Sequence, residues 1–517
     1  MNRTAMLQTL NDEAHWDIII IGGGATGLGA AADAATRGYK TLLLEQEDFA
    51  KATSSRSTKL LHGGVRYLAQ GNFKLVLDAL RERGIILKNA PHVSQHFSFI
   101  IPAYKWWEKI YYGLGLKMYD MMAGKLGLGN TRIISAKTAT QLLPTLKHDI
   151  LKGGIVYKDG QFDDTRLAIN LAQTAAENGA TILNYCRVTG LIKENKKING
   201  VILTDSISRK EYRVHAAIVI NATGVFVDSI LAMDDHNKPA MVSPSQGVHI
   251  VLDKKFFPGN EAMMIPNTTD GRVLFAVPWH NKVVVGTTDT PIANISLEPV
   301  ALDTEINFIL HNINAYLNVV ISRTDVLSVF AGLRPLVKIK SVKNTSIMPR
   351  DHTIVMSDSG LISITGGKWT TYRKMAKDVI DKAVNAGGFI KKECVTHQLK
   401  IHGWVNEVNQ NDPLHFYGAD LEPLKKLTKE NQEWDAYLHP AFPYTKACVI
   451  WAVRNEMAMT VEDVLARRTR MLFLDARAAI ESAPVVAHLM AEEMMKDQQW
   501  IIDQTNSFIT LAKRYLL

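Results

Sequence analysis

The sequence predicts an α/β fold in which a parallel sheet, assembled from discontinuous segments, is interrupted by an antiparallel-sheet domain and followed by a helical domain. Three observations predict it. The stretch Asp17–Gly29 passes from four isoleucines into glycines and then an alanine-rich helix former. Leu361–Gly367 repeats that order of apolar run and paired glycines far downstream. Beyond about residue 395 the chain turns to apolar stripes at helical spacing, with no glycine after Gly418.

Ile18 to Ile21 form a β-branched run of the kind buried on both faces of a parallel sheet. Gly22, Gly24 and Gly27 fit G-x-G-x-x-G: the first permits the tight turn, the second lets a pyrophosphate approach, and the third lets helix pack on strand. The helix N-terminus offers amides and partial positive charge to phosphates. Thr41 to Leu44 read as the next strand and end in Glu45, at roughly the 20-residue offset where an acid meets ribose hydroxyls. Strand, glycines, helix, strand and acid in register predict a Rossmann-type dinucleotide site. The acid favours an unphosphorylated ribose, as in FAD or NAD.

At 517 residues the chain holds about three domain-equivalents. Its 47% hydrophobic and 21% charged residues are ordinary for a globular protein. A net charge of +8 calls for an anionic partner. No nucleic-acid-binding motif accompanies it, so a membrane surface or a phosphorylated substrate is preferred. Cys186, Cys394 and Cys448 are too few and scattered for disulfides or a metal site, which points to a reducing compartment. No secretory signal is read in Met1–Trp16, and no apolar run is long enough to span a bilayer.

Along the chain, Ala52–Leu68 is a long polar loop with hydroxyls and glycines suited to wrapping a ligand. A helix from about Phe73 to Asn89 follows, closed by Pro91. Tyr104–Tyr119 sets Lys105, Trp106, Trp107, Lys109 and Tyr111 on a short apolar stretch, the composition of an interfacial segment. A core or dimer-interface aromatic cluster is the alternative. Asp163 starts a helix that runs to Asn178 and stops at Gly179. Ala216 to Ile220 is another buried strand, ending in Asn221-Ala222-Thr223-Gly224, and Arg272–Val277 with Lys282–Gly286 reads as a hairpin. Thr460 and Asp463 open a helix with Asp463 and Arg467 in i,i+4 contact. The Arg467-Arg468-Thr469-Arg470 cluster is expected on a solvated or inter-domain face. The nucleotide domain is assigned to 1–90, 150–235 and 330–390, the cap domain to 91–149 and 236–329, and the helical domain to 395–517.

Taken together, Ile20–Gly24, Thr53-Ser54-Ser55, His62-Gly63-Gly64-Val65-Arg66-Tyr67-Leu68, Asn221–Gly224, Gly286–Asp289, Gly332–Leu336 and Gly366–Arg373 closely resemble the FAD-dependent glycerol-3-phosphate dehydrogenases, in the family's order and over nearly the whole chain. Tyr104–Trp107 and Arg467–Arg470 look more like the mitochondrial branch. Two departures stand out. Val225 occupies a position where the family usually has proline, and the tail has no calcium-binding loop of the animal mitochondrial members, so calcium regulation is not expected. The resemblance implies an enzyme peripheral to a membrane that oxidises sn-glycerol 3-phosphate to dihydroxyacetone phosphate, passing electrons through FAD to a quinone. It implies FAD contacts at Gly22, Gly24, Gly27, Glu45, Thr53, Ser54, Ser55, Gly63, Gly64, Ala222, Gly224, Gly366, Gly367 and Lys368. The cytoplasmic side of a bacterial inner membrane is the expected location. A homodimer is left open.

Glycerol 3-phosphate carries close to two negative charges at neutral pH, and arginine suits phosphate because its fork takes two oxygens. Arg66 and Arg334 each follow a glycine by two residues and match family positions that look like phosphate clamps, with Tyr67 and Thr287 as hydroxyl donors; a structural salt bridge is the plain alternative. His62 is the natural base for the alcohol proton, though it could equally pack the loop. Lys368 sits at a helix start, where its charge could stabilise reduced flavin or an alkoxide. A glycerol-3-phosphate oxidase using oxygen, or an amine oxidase of the glycine-oxidase type, is the competing reading.

Overall fold

The computed structural model describes residues 1–64, 71–338 and 351–517. Trp16–Ile21 lies at the middle of a sheet of eight strands among the described residues. Thr41–Leu44 and then Thr181–Leu183 run parallel to it on one side, Glu211–Asn221 and then Ile362–Gly366 on the other. His352–Met356 adds an antiparallel edge. The isoleucine run is buried on both faces as expected: Ile18 and Ile20 pack with the helices Ala25–Thr36, Asp164–Glu177 and Tyr372–Gly387. Ile19 and Ile21 pack instead with the antiparallel strands Cys186–Glu194 and Lys197–Asp205. Asp163 caps the helix it was expected to start, its carboxylate accepting from Arg166 N–H at 3.0 Å.

Among the described residues, the second sheet has ten strands. Its longest ladder pairs Val242–Asp253 with Val326–Val337, and the hairpin Leu274–Trp279/Lys282–Gly286 turns on His280 and Asn281, both with positive φ. The pairing is antiparallel except where Ala262–Ile265 runs parallel to Ser94–Ala103. Leu60–Leu61 and Gly153–Phe162 belong to this sheet, so the chain crosses between the layers at both. Apolar runs such as Gly153–Tyr157 mark a buried strand without saying which sheet takes it. The ends of the two sheets meet where Val326–Val337 approaches Ile362–Gly366.

Past the left-handed cap at Gly388, the chain runs mostly as turns and short 3-10 pieces before the helices Lys446–Glu456, Ala476–Met494 and Gln498–Ala512. The arginine cluster corrects one half of its expectation. Arg467, Arg468 and Arg470 are at most 1% exposed, buried rather than solvated. Each guanidinium meets an acid: Asp48 for the first two and Asp163 for the third. Asp463 and Arg467 are paired at 2.6 Å as the i,i+4 spacing predicts.

Candidate active site

A cleft of about 790 Å³ opens where the parallel strands end and the second sheet begins. At one part of its wall the chain leaves Ile21 and turns at Gly22, whose φ of +110° and whose approach to Ala222 exclude a side chain. A Cβ on Gly27 would stand 1.8 Å from the Gly22 carbonyl oxygen, so the helix Ala25–Thr36 can seat on the turn only with glycine there. Gly24 is the N-cap and carries no side chain over the first amides; Ala25 N–H donates to Ser54 Oγ at 3.0 Å. Glu45 accepts from Gly23 N–H at 2.6 Å and from Glu47 N–H at 2.9 Å. Burial pushes its carboxyl up to about 7 against those two bonds. The glycine turn, the open helix start and the carboxyl are the parts a dinucleotide needs, and they fit one.

Two segments far apart in sequence close the cleft. Thr53 Oγ1 donates to the Leu333 carbonyl at 2.7 Å, and Trp369 Nε1 donates to the Ser54 carbonyl at 2.8 Å. Gly366 and Gly367, both at positive φ, bring Lys368 to the wall at the start of the turn Trp369–Thr371. His62 joins the same wall: its backbone N–H donates to Thr370 Oγ1 at 3.3 Å, and its ring lies 6.4 Å from that of Phe275.

The polar end is built on the second sheet. Arg334 donates through Nη2 to Thr287 Oγ1 at 3.0 Å and to the Thr288 carbonyl at 2.8 Å. Its Nη1 faces Asp289 at 3.4 Å. Gly247 makes room for this fork, since a Cβ there would stand 2.2 Å from Nη2. Beside it, His249 stacks on Phe330 with ring centroids 4.9 Å apart and shares a 2.9 Å hydrogen bond with Thr58 Oγ1. Burial, with Lys59 and Arg334 nearby, holds its ring well below the ordinary histidine range, hence neutral.

Of the residues singled out from sequence, His62, Lys368, Arg334, Thr287, Gly22, Gly24, Glu45, Thr53, Ser54, Ala222, Gly224, Gly366 and Gly367 line this one cleft. Gly27 stands behind the turn, and the Ser55 hydroxyl bonds the Lys51 and Ala52 carbonyls. Gly63 faces away from it toward Tyr119, which a Cβ would strike at 2.7 Å. Gly64 carries positive φ beside it. Arg66 and Tyr67 fall outside the described residues. Sequence reasoning missed His249 and Arg56, the latter buried and bonded to Glu298 at 2.7 Å. Both depend on partners remote in the chain; a polar histidine inside the apolar strand Val242–Asp253 was the available signal. Lys105, Trp106, Trp107, Lys109 and Tyr111 lie on or next to the helix Trp106–Ala123, outside the cleft.

The family model described as FAD dependent oxidoreductase matches residues 17–373, and that described as the C-terminal domain of alpha-glycerophosphate oxidase matches 361–500. The mitochondrial glycerol-3-phosphate dehydrogenase of Rattus norvegicus is 40% identical, covering 95% of this chain and 72% of its own. That of Arabidopsis thaliana is 39% identical over 97% and 86%. Among solved structures, the glycerol-3-phosphate dehydrogenase of Bacillus halodurans complexed with FAD superposes with a TM-score of 0.81, at 30% identity over 99% of this chain and 97% of that one.

Proposed function

Because this chain belongs to the family of FAD-dependent glycerol-3-phosphate dehydrogenases, we propose that it oxidises sn-glycerol 3-phosphate to dihydroxyacetone phosphate and passes the electrons to a quinone in the membrane on which it lies. Its cofactor is FAD, which when bound accepts a hydride and relays electrons to the acceptor. The chain's own residues bind, orient and deprotonate the substrate.

Arg334 and Thr287 take the phosphate. The observation that carries this reading is the Arg334 fork, held by Thr287 and the Thr288 carbonyl in the same cleft as the glycine turn. Thr287, the Thr288 carbonyl and Asp289 hold the guanidinium in orientation, and its planar fork suits a phosphate dianion. His62 accepts the proton of the secondary hydroxyl, the general-base role for which an imidazole is suited. Lys368 offers positive charge where negative charge develops. His249, neutral and walled by Phe330, keeps that end of the cleft dry without adding charge.

A membrane quinone as acceptor is supported by the helix Trp106–Ala123, whose Trp106, Ile110, Leu114 and Met121 are exposed, with Lys105 beside them. No helix of the described residues is long and apolar enough to cross a bilayer; the proposed attachment is peripheral, through the helix Trp106–Ala123, on the cytoplasmic face of a bacterial inner membrane. Oxygen is the second reading, favoured by the oxidase in the description of the C-terminal family model. Anaerobic titration with glycerol 3-phosphate, followed at the flavin absorbance, tests the reaction: bleaching supports it and an unchanged spectrum sinks it. Reoxidation by a short-chain quinone without peroxide then separates the two acceptors.

A further inference from the structure

Tyr119 is the most buried ring on the helix Trp106–Ala123, 1% exposed on an element whose outer face is open. Its hydroxyl accepts from the Gly63 backbone N–H at 2.7 Å and donates to Asp159 Oδ2 at 2.8 Å. The other Asp159 oxygen takes Arg83 Nη1 at 2.7 Å, and the Arg83 guanidinium lies 5.8 Å from the Tyr119 ring centroid. All three side chains are buried. Burial raises the Asp159 carboxyl and the Tyr119 phenol alike, so the tyrosine stays protonated and able to donate.

What this cluster holds is the loop that starts at His62. Leu61 pairs with Gly160, the residue after Asp159, so the loop leaves the sheet beside the carboxylate. Gly63 must be glycine because the phenol fills the place of its Cβ. With Tyr119 on one side and Thr370 Oγ1 on the His62 N–H, the two consecutive amides of His62 and Gly63 are fixed from opposite elements. Val76 and Leu80 pack around the ring and join the helix Phe73–Asn89 to the strut.

We propose that Tyr119, backed by Asp159 and Arg83, is a positioning residue that fixes the His62 loop for proton removal and ties it to the outward-facing helix Trp106–Ala123. The inference rests on the functional reading above, in which His62 is the base. Loss of the hydroxyl leaves a buried Gly63 N–H unpaired, and the loop relieves this by shifting. The effect then falls on the chemical step, because Arg334 lies on the strand Val326–Val337 and Thr287 just after Lys282–Gly286, neither of which Tyr119 holds.

The test compares holoenzymes of the native chain, Tyr119→Phe and the control Tyr112→Phe, whose hydroxyl lies on the same helix 3.4 Å from Asn267. In Tyr119→Phe we expect full flavin content and an unchanged melting temperature. The limiting rate of flavin reduction by glycerol 3-phosphate should fall about tenfold, with the half-saturating concentration within twofold. Hydrogen exchange at the Gly63 amide, measured without substrate, should quicken at least tenfold. Tyr112→Phe should match the native chain in all five. Native rates and native Gly63 exchange in Tyr119→Phe overturn the proposal; so does a loss confined to flavin content or melting temperature, which marks a packing role. A native chain whose flavin does not bleach overturns the functional reading, while the Gly63 exchange still reports on the strut itself.

Discussion

The guanidinium of Arg468 grips both carboxylate oxygens of Asp48, at 2.7 and 3.0 Å, with neither side chain exposed. Arg467 Nε adds a third bond to Asp48 at 2.5 Å. Asp48 stands three residues after Glu45, so the helical domain clamps the strand end that lines the cofactor cleft. Removing one partner strands a buried charge, and Arg468→Ala is expected to cost roughly 3–5 kcal/mol. Burial raises the Asp48 carboxyl, but Arg468 and Arg467 outweigh it and hold it at about 2. The clamp's contribution is therefore complete above the unfolded carboxyl value of about 3.9 and is lost as pH falls toward 2. Urea unfolding of the native chain and Arg468→Ala between pH 7 and 3 checks both statements; equal stabilities at pH 7 would refute them.

His402 gives the opposite pH sign. Its ring nitrogens face Glu177 at 2.5 Å and Asp420 at 2.7 Å, tying the irregular segment after Gly388 to the helix Asp164–Glu177. Burial opposes the charge, yet the two acids raise its pKa to about 9. A raised pKa stabilises fully below the unfolded value of about 6.5 and fades as pH rises through 9. With Glu177 half exposed, roughly 1–2 kcal/mol is expected rather than the full linkage figure. His402→Gln should flatten the decline of melting temperature between pH 7 and 9.5; an unchanged slope would remove His402 from that role.

What was legible in the sequence was local. Gly22, Gly24, Gly27 and Glu45 announce a dinucleotide turn because the motif's physics is complete within one βαβ unit. The Asp163 cap and the Asp463–Arg467 pair were legible for the same reason. Asp48 was not: its partner Arg468 lies 420 residues away, and no period or propensity joins them. Gly63 shows the limit from another side. Its place in a glycine-rich loop suggested contact with the cofactor, whereas Tyr119, 56 residues on, is what excludes its side chain.

Gly27 offers a test of the turn itself. A methyl group there would stand 1.8 Å from the Gly22 carbonyl oxygen, so Gly27→Ala must push the helix Ala25–Thr36 off the turn. The amides that we propose meet the pyrophosphate move with it. We expect the flavin-to-protein ratio of the purified variant to fall at least tenfold while far-ultraviolet circular dichroism stays near native. Native flavin content would show that the helix start does not hold the cofactor.

Substrate and chemistry should separate in the variants of the polar end. Each charge-assisted bond to phosphate is worth roughly 1.5–3 kcal/mol, so Arg334→Ala should raise KM by one to two orders of magnitude. Arg334→Lys should recover only part, since an ammonium cannot reproduce the fork that Thr287 and the Thr288 carbonyl orient. His62→Ala and Lys368→Ala should keep yellow bound flavin but slow its reduction. Stopped-flow reduction at native speed would take either residue out of the mechanism.

The outer face of the helix Trp106–Ala123 carries a row of exposed apolar side chains. Trp106, Ile110, Leu114 and Met121 are 70, 59, 71 and 80% exposed, on a helix whose Leu116 and Tyr119 are buried. Isolated apolar side chains on a surface need no explanation, but this row recurs at helical spacing on one face. Lys105 and Lys117 are exposed along it, where ammonium groups can reach lipid phosphates. Full burial of one such side chain is worth roughly 1.5–3 kcal/mol, so changing Trp106, Trp107 and Ile110 together to Ser removes several kcal/mol of membrane affinity. That is a shift in partition of on the order of a hundredfold or more. The triple variant should appear in the soluble fraction with its flavin bound and still reducible by glycerol 3-phosphate, since none of the three residues lines the cleft. If it sediments with membranes as the native chain does, this face is not the attachment surface, and the charge excess must act elsewhere.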